Sequence, residues 1–94
     1  MLERDFQKKV ITYLKENKIH HFKTIATNKK GTPDIIGCYH GKFFGIECKS
    51  EKGRITGYQL RAHKEIVESG GKVIVIFANE NYKSTLDDFF NSDF

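Results

Sequence analysis

The sequence predicts an α/β fold in which helices flank a mixed β-sheet, with elements in the order αβββαβα. Three observations predict it. Apolar residues recur at helical spacing at the start of the chain. Two runs rich in aliphatic and aromatic residues meet at an X-Gly pair in its middle. A second helical stretch then leads into the apolar run Val73–Ala78. With 94 residues the chain is one domain, 1–94.

The first helix is expected from Glu3 to Glu16, because Leu2, Phe6, Val10 and Tyr13/Leu14 form a stripe with polar residues between them. Glu3 borders that stripe. Residues His20 to Thr27 read as a first strand, and Asn28-Lys29-Lys30-Gly31-Thr32-Pro33 as a loop by its punctuation. Asp34–Tyr39 and Lys42–Lys49 form a hairpin around His40-Gly41. Glu51-Lys52-Gly53-Arg54 is a second loop. Thr56 opens a helix that runs to about Ser69 and stops at Gly70-Gly71. Val73–Ala78 reads as a strand buried on both faces, hence central in the sheet. Tyr82, Leu86, Phe89 and Phe90 give a short C-terminal helix.

Composition narrows the function classes. No stretch approaches the roughly 18 apolar residues of a membrane span, and no charged n-region with an apolar h-region opens the chain. The expected setting is cytoplasmic, not secreted, with no membrane partner. Cys38 and Cys48 lie outside any compact ligand spacing and the four histidines are scattered, which argues against structural zinc and for buried free thiols. A net charge of +4 and a pI near 9.1 permit a polyanion partner. The placement of the charge says more. Lys29 and Lys30 lie in one loop, and Lys52 and Arg54 flank Gly53 in the other, beside acidic residues. All four are candidate phosphate contacts, against the alternative of solvated loop charges.

The hairpin allows a geometric test. If His40 and Gly41 are the turn residues, Tyr39 pairs with Lys42, and the same register sets Asp34 opposite Glu47. Lys49 shares that face by strand alternation, and Gly45 would leave open space beside the carboxylates. Two opposed like charges repel, and a divalent cation removes the conflict. Oxygen ligands favour Mg²⁺, with Mn²⁺ as a substitute. Lys49 would then hold a water or neutralise a developing phosphate charge.

Gly31-Thr32-Pro33-Asp34, then Glu47-Cys48-Lys49, then Gln59, resembles the PD-(D/E)xK nuclease superfamily, and within it the stand-alone virus-type replication-repair nuclease (VRR-NUC) domain. The resemblance spans nearly the whole chain and implies a restriction-endonuclease-like αβββαβ core plus the short C-terminal helix. It implies that Asp34 and Glu47 bind the metal, with the Cys48 backbone carbonyl as third ligand and Lys49 as the catalytic lysine. Glu3 matches an acidic residue that contacts a metal or its water shell, and Gln59 a residue supporting the metal water or scissile phosphate. The activity implied is hydrolysis of a DNA phosphodiester in a bacterial or phage-infected cell.

Several of these residues have plainer alternatives. Thr56-Gly57-Tyr58-Gln59 also fits a capping box, in which Gln59 serves only its own helix. Glu3 would suit a first helical turn simply by complementing the helix dipole. Tyr58 would stack on a base or merely pack. His20, His21 and His63 read as solvated or core-edge residues, and His40 as a turn residue. The expected protein is a structure-selective, Mg²⁺-dependent DNA endonuclease acting on branched DNA such as Holliday junctions in replication, recombination or repair. It is expected to be a homodimer, with Phe89, Phe90 and Phe94 as surface awaiting a partner. The rivals are a restriction-type or exonucleolytic DNase and a catalytically silent DNA-binding subunit.

Overall fold

A computed structural model describes residues 1–92 and 94. These fold as helix α1 (Glu3–Glu16), strands β1 (His20–Lys23), β2 (Ile35–Tyr39) and β3 (Lys42–Lys49), helix α2 (Gly57–Glu68), strand β4 (Lys72–Phe77) and helix α3 (Tyr82–Asn91). The sheet runs β1-β2-β3-β4, antiparallel except for the parallel β3–β4 pair. This is the expected α/β fold with a mixed sheet, consistent with a restriction-endonuclease-like core plus a short last helix.

The β2–β3 turn fixes the register. His40 and Gly41 both adopt positive φ, 50° and 79°, as a type I′ turn requires at its two central positions. Tyr39 therefore pairs with Lys42, and the ladder runs through to Ile35 opposite Ile46. Alternation then sorts β3 into two faces. Phe44, Ile46 and Cys48 join Phe6, Val10 and Leu14 of α1 and Leu86 and Phe90 of α3 in the main core. Phe43, Gly45, Glu47 and Lys49 point the other way, where α2 lies over part of the sheet.

Four expectations need correction. β1 ends at Lys23 rather than Thr27, because Thr24 turns its hydroxyl onto the carbonyls of Pro33 (2.7 Å) and Asp34 (3.1 Å). The apolar strand β4 lies at a sheet edge, not at its centre. Its residues serve two helical layers, Ile76 in the α1/α3 core and Val73 and Val75 on the α2 side, which explains an apolar run without a second strand neighbour. Cys38 is exposed while Cys48 is buried, both as free thiols. The C-terminal aromatics are already occupied. Phe90 is buried, its ring meets Phe44 edge-on at 5.1 Å, and Phe94 stacks on it at 5.4 Å. Among the described residues, no helix is long and apolar enough to cross a membrane.

Candidate active site

Asp34 stands one residue before β2, level with Glu47 in the extended register, and three hydrogen bonds fix its place. Thr24 donates to its carbonyl from both backbone (2.8 Å) and hydroxyl, and the Cys48 amide donates to its Oδ2 at 2.9 Å. Pro33 is buried just before it and packs over Gly45, where a Cβ would stand 2.7 Å from the Pro33 ring. The open space expected beside Gly45 is thus filled by proline.

Glu47 is 1% exposed, and a hydrogen bond joins its carboxyl to that of Asp34. Burial pushes its pKa up to about 8, with the hydrogen bond and charge of Asp34 next in weight and Glu3 adding to them, while Lys49 opposes. Glu47 itself is thus held toward its protonated form at neutral pH. Lys49 is also buried, at 7% exposure, and its aliphatic stem is braced by Gly53, where an added Cβ would come 3.1 Å from the Lys49 Cβ. The predicted trio is therefore on one side of the sheet, and Glu3 is near enough for its charge to be felt.

The two readings of Gln59 both hold. The Gln59 amide donates to the Thr56 hydroxyl (3.2 Å) and its Oε1 accepts from the Thr56 amide (3.0 Å), completing the capping box. Its remaining Nε2 donates to Glu47 Oε2 at 3.2 Å. One side chain caps α2 and holds the carboxylate. Gly31, at φ 81°, lies so close to this helix start that a Cβ there would be 2.2 Å from the Tyr58 carbonyl oxygen. The loop that ends in Pro33-Asp34 is thereby seated on the turn that carries Gln59.

Two residues stand at the site without a role expected from the sequence. His63, expected at the solvated or core edge, is buried, and its Nε2 lies within hydrogen-bond distance of Glu47 Oε1, at 3.4 Å. Burial and the Lys49 charge lower its pKa, favouring the neutral ring. The available signal was its spacing, four residues after Gln59 on the same helical face. Gln7, one turn after Glu3, is buried too, and its Oε1 has no hydrogen-bond partner among the described residues.

Of the basic candidates, Lys29 pairs with Glu65 of α2, and Lys30 lies over the Tyr58 ring at 4.8 Å. Together with Arg61 they line a cavity of about 310 Å³ against α2. Lys52 and Arg54 are exposed on the second loop.

The donor set suits a hard cation. Among the described residues no three His, Cys, Asp or Glu side chains gather to form a cage. What the site offers is two carboxylates, and Mg²⁺ commonly takes one or two of these while keeping waters. A third oxygen follows from strand geometry. The Lys49 carbonyl accepts from Ala78 on the β4 side, so the preceding residue directs its N–H and C=O the opposite way. The Cys48 amide indeed meets Asp34 there, and its carbonyl faces the same side.

No family model matches the chain. It is 34% identical over 56 residues to "Putative nuclease p44" of Acyrthosiphon pisum secondary endosymbiont phage 1, a match that spans 58% of this chain and 60% of that protein.

Proposed function

We propose that this chain is a nuclease, and more specifically a metal-dependent DNA endonuclease of the VRR-NUC type. The observation that carries the reading is the half-buried Asp34 beside the buried Glu47 carboxyl, with the buried Lys49 on the same face. A stability-only role does not account for two acids and a lysine on one half-covered sheet face. The name of the phage relative supports the same class.

In this reading Asp34, Glu47 and the Cys48 carbonyl hold Mg²⁺ or Mn²⁺, with Glu3 reaching its water shell. The ion, when bound, lowers the pKa of a coordinated water and offsets charge on the phosphate. Lys49 orients the attacking water and balances the negative charge that grows on the phosphoryl oxygens. Gln59 holds Glu47 and the water near it. Water oxygen bonds to phosphorus, the 3′-oxygen leaves and takes a proton, and a 5′-phosphate remains. Lys29, Lys30, Lys52 and Arg54 contact backbone phosphates, and Tyr58 stacks beside them.

Among the described residues the connections are short, the longest being residues 24–34 between β1 and β2, so selectivity would come from DNA shape. Cutting both strands of a branched substrate in recombination or repair needs two active sites, hence a homodimer. Phe22 and Phe43, with Cys38 between them on the α2 side of the sheet, supply the exposed apolar surface that the C-terminal aromatics do not.

Purified protein incubated with supercoiled, linear and four-way-junction DNA, with Mg²⁺ or with EDTA, tests the proposal. Metal-dependent cleavage is expected, strongest on the junction. Asp34→Ala and Lys49→Ala should each abolish it while melting as cooperatively as the parent. No cleavage of any substrate would sink the enzyme reading.

A further inference from the structure

We propose that His63 is a positioning residue for the metal-binding carboxylate, acting as the second half of a two-point grip by α2 on Glu47. The inference rests on the proposed metal role of Glu47. Its structural basis is separate. Gln59 Nε2 donates to one carboxyl oxygen of Glu47 at 3.2 Å, and His63 Nε2 lies 3.4 Å from the other, where the Nε2–H tautomer makes it a second donor.

A glutamate carboxyl turns about a broad, roughly two-fold terminal torsion. One hydrogen bond leaves that rotation loose; two donors on opposite oxygens set the carboxyl plane. The plane in turn decides which lone pairs face Asp34 and an ion between them. Residues four apart on a helix lie on the same face, so α2 supplies both donors from one rigid body.

Packing alone does not call for an imidazole at this position. α2 buries only Ala62 and His63, and leaves Leu60 and Val67 exposed. A buried ring nitrogen is costly without a partner, and the partner here is the carboxylate. To donate from Nε2, the neutral ring carries its proton on that nitrogen, which selects one tautomer. Histidine thus does for a carboxylate ligand what outer hydrogen-bond partners do for metal sites generally.

The test uses Mn²⁺ as the probe on the DNA-free protein, with binding followed by electron paramagnetic resonance of the free ion. His63→Leu and His63→Met fill the volume without a donor, and His63→Gln restores one. Either donor-less variant that melts cooperatively gives the comparison. It is expected to bind Mn²⁺ about tenfold or more weakly than the parent, with His63→Gln recovering most of the loss. In cleavage assays the Mg²⁺ concentration for half-maximal rate should rise in parallel, while the KM for DNA stays near the parent value. A folded donor-less variant that binds Mn²⁺ as tightly as the parent overturns the role of His63 and leaves the nuclease reading standing. A parent protein that binds no Mn²⁺ and cuts no DNA overturns both.

Discussion

At the scale of single residues, Glu47 carries the most chemical information. Its raised pKa has a consequence whose sign follows from proton counting. In the metal-free folded chain Glu47 keeps a proton up to about pH 8, while in the unfolded chain it has lost that proton above the ordinary carboxylate range. Folding therefore takes up a proton, and stability falls as pH rises through that window. His63 acts oppositely, since its lowered pKa makes stability rise as pH climbs toward its ordinary value of 6.5. The Glu47 effect is thus clearest from about pH 6.5 to 8. Thermal melts in EDTA should show a declining midpoint there, and Glu47→Gln should flatten the decline. A parent profile already flat across this range would contradict the raised pKa of Glu47. Ion binding displaces the same proton, so Mn²⁺ affinity is expected to rise over that interval.

Gln59 offers a second residue-scale prediction, because its two jobs can be separated. Thr56→Ala removes the hydroxyl half of the capping box and should cost about 1 kcal/mol by denaturant titration, leaving metal-dependent cleavage in place. Gln59→Leu loses the cap and the bond to Glu47 together, so it should lose stability by a similar amount and also cut at least tenfold more slowly. Equal activity in the two variants would reduce Gln59 to a capping residue. The sequence made both roles visible but presented them as alternatives, since a motif does not reveal that an amide has a separate oxygen and nitrogen to spend.

At the scale of elements, the site depends on how the Gly31 loop meets α2. Gly31→Ala would force a Cβ into the Tyr58 backbone in a left-handed conformation. Gly41 has a similar φ, 79°, but nothing within 4 Å of its added Cβ. Gly41→Ala is therefore expected to cost only the local strain, about 1–2 kcal/mol, with cleavage unaffected. Gly31→Ala should cost more than that and also weaken Mn²⁺ binding, because Gln59 must move. Chemical denaturation and Mn²⁺ titration of the pair check the contrast. The hairpin half of the site was legible because turn chemistry fixes register and register fixes opposition. The α2 half was not, because no local pattern tells a helix which face of the sheet to cover. For the same reason β4 looked central: an apolar run reports burial, which helices supply as well as strands do. His63 was missed on similar grounds, since a lone helical histidine becomes informative only once its helix is placed over Glu47.

At the scale of the whole molecule, helices α1 and α3 with the aromatics around Phe90 form one well-filled side, while α2 covers the other side only in part. The uncovered part near β1 and β2 exposes Phe22, Phe43 and Cys38. The homodimer proposal predicts that light scattering at micromolar concentration gives twice the chain mass of 10.9 kDa, and that Phe43→Lys shifts it toward one chain. A parent mass of a single chain would remove the dimer from the model of how both strands are cut. The sequence pointed instead to Phe89, Phe90 and Phe94, because clustered aromatics at a chain end look unpartnered until the sheet they close over is known.

The His40-Gly41 turn also bears on the order in which the molecule comes together. Hairpins form in roughly 1–10 μs, far ahead of contacts that close long loops. The bond from the Cys48 amide to Asp34 spans only fourteen residues, so the acidic pair belongs to the most local pairing in the chain. A folding order in which the hairpin precedes the docking of α2 would set the two acids in register before that helix arrives. A chain in which that helix has come loose would keep the hairpin register, while Glu47 loses its partners on α2 and the Asp34 loop loses its seat. Local opening of α2 would thus silence the site without dismantling it, and redocking would restore it without refolding the hairpin.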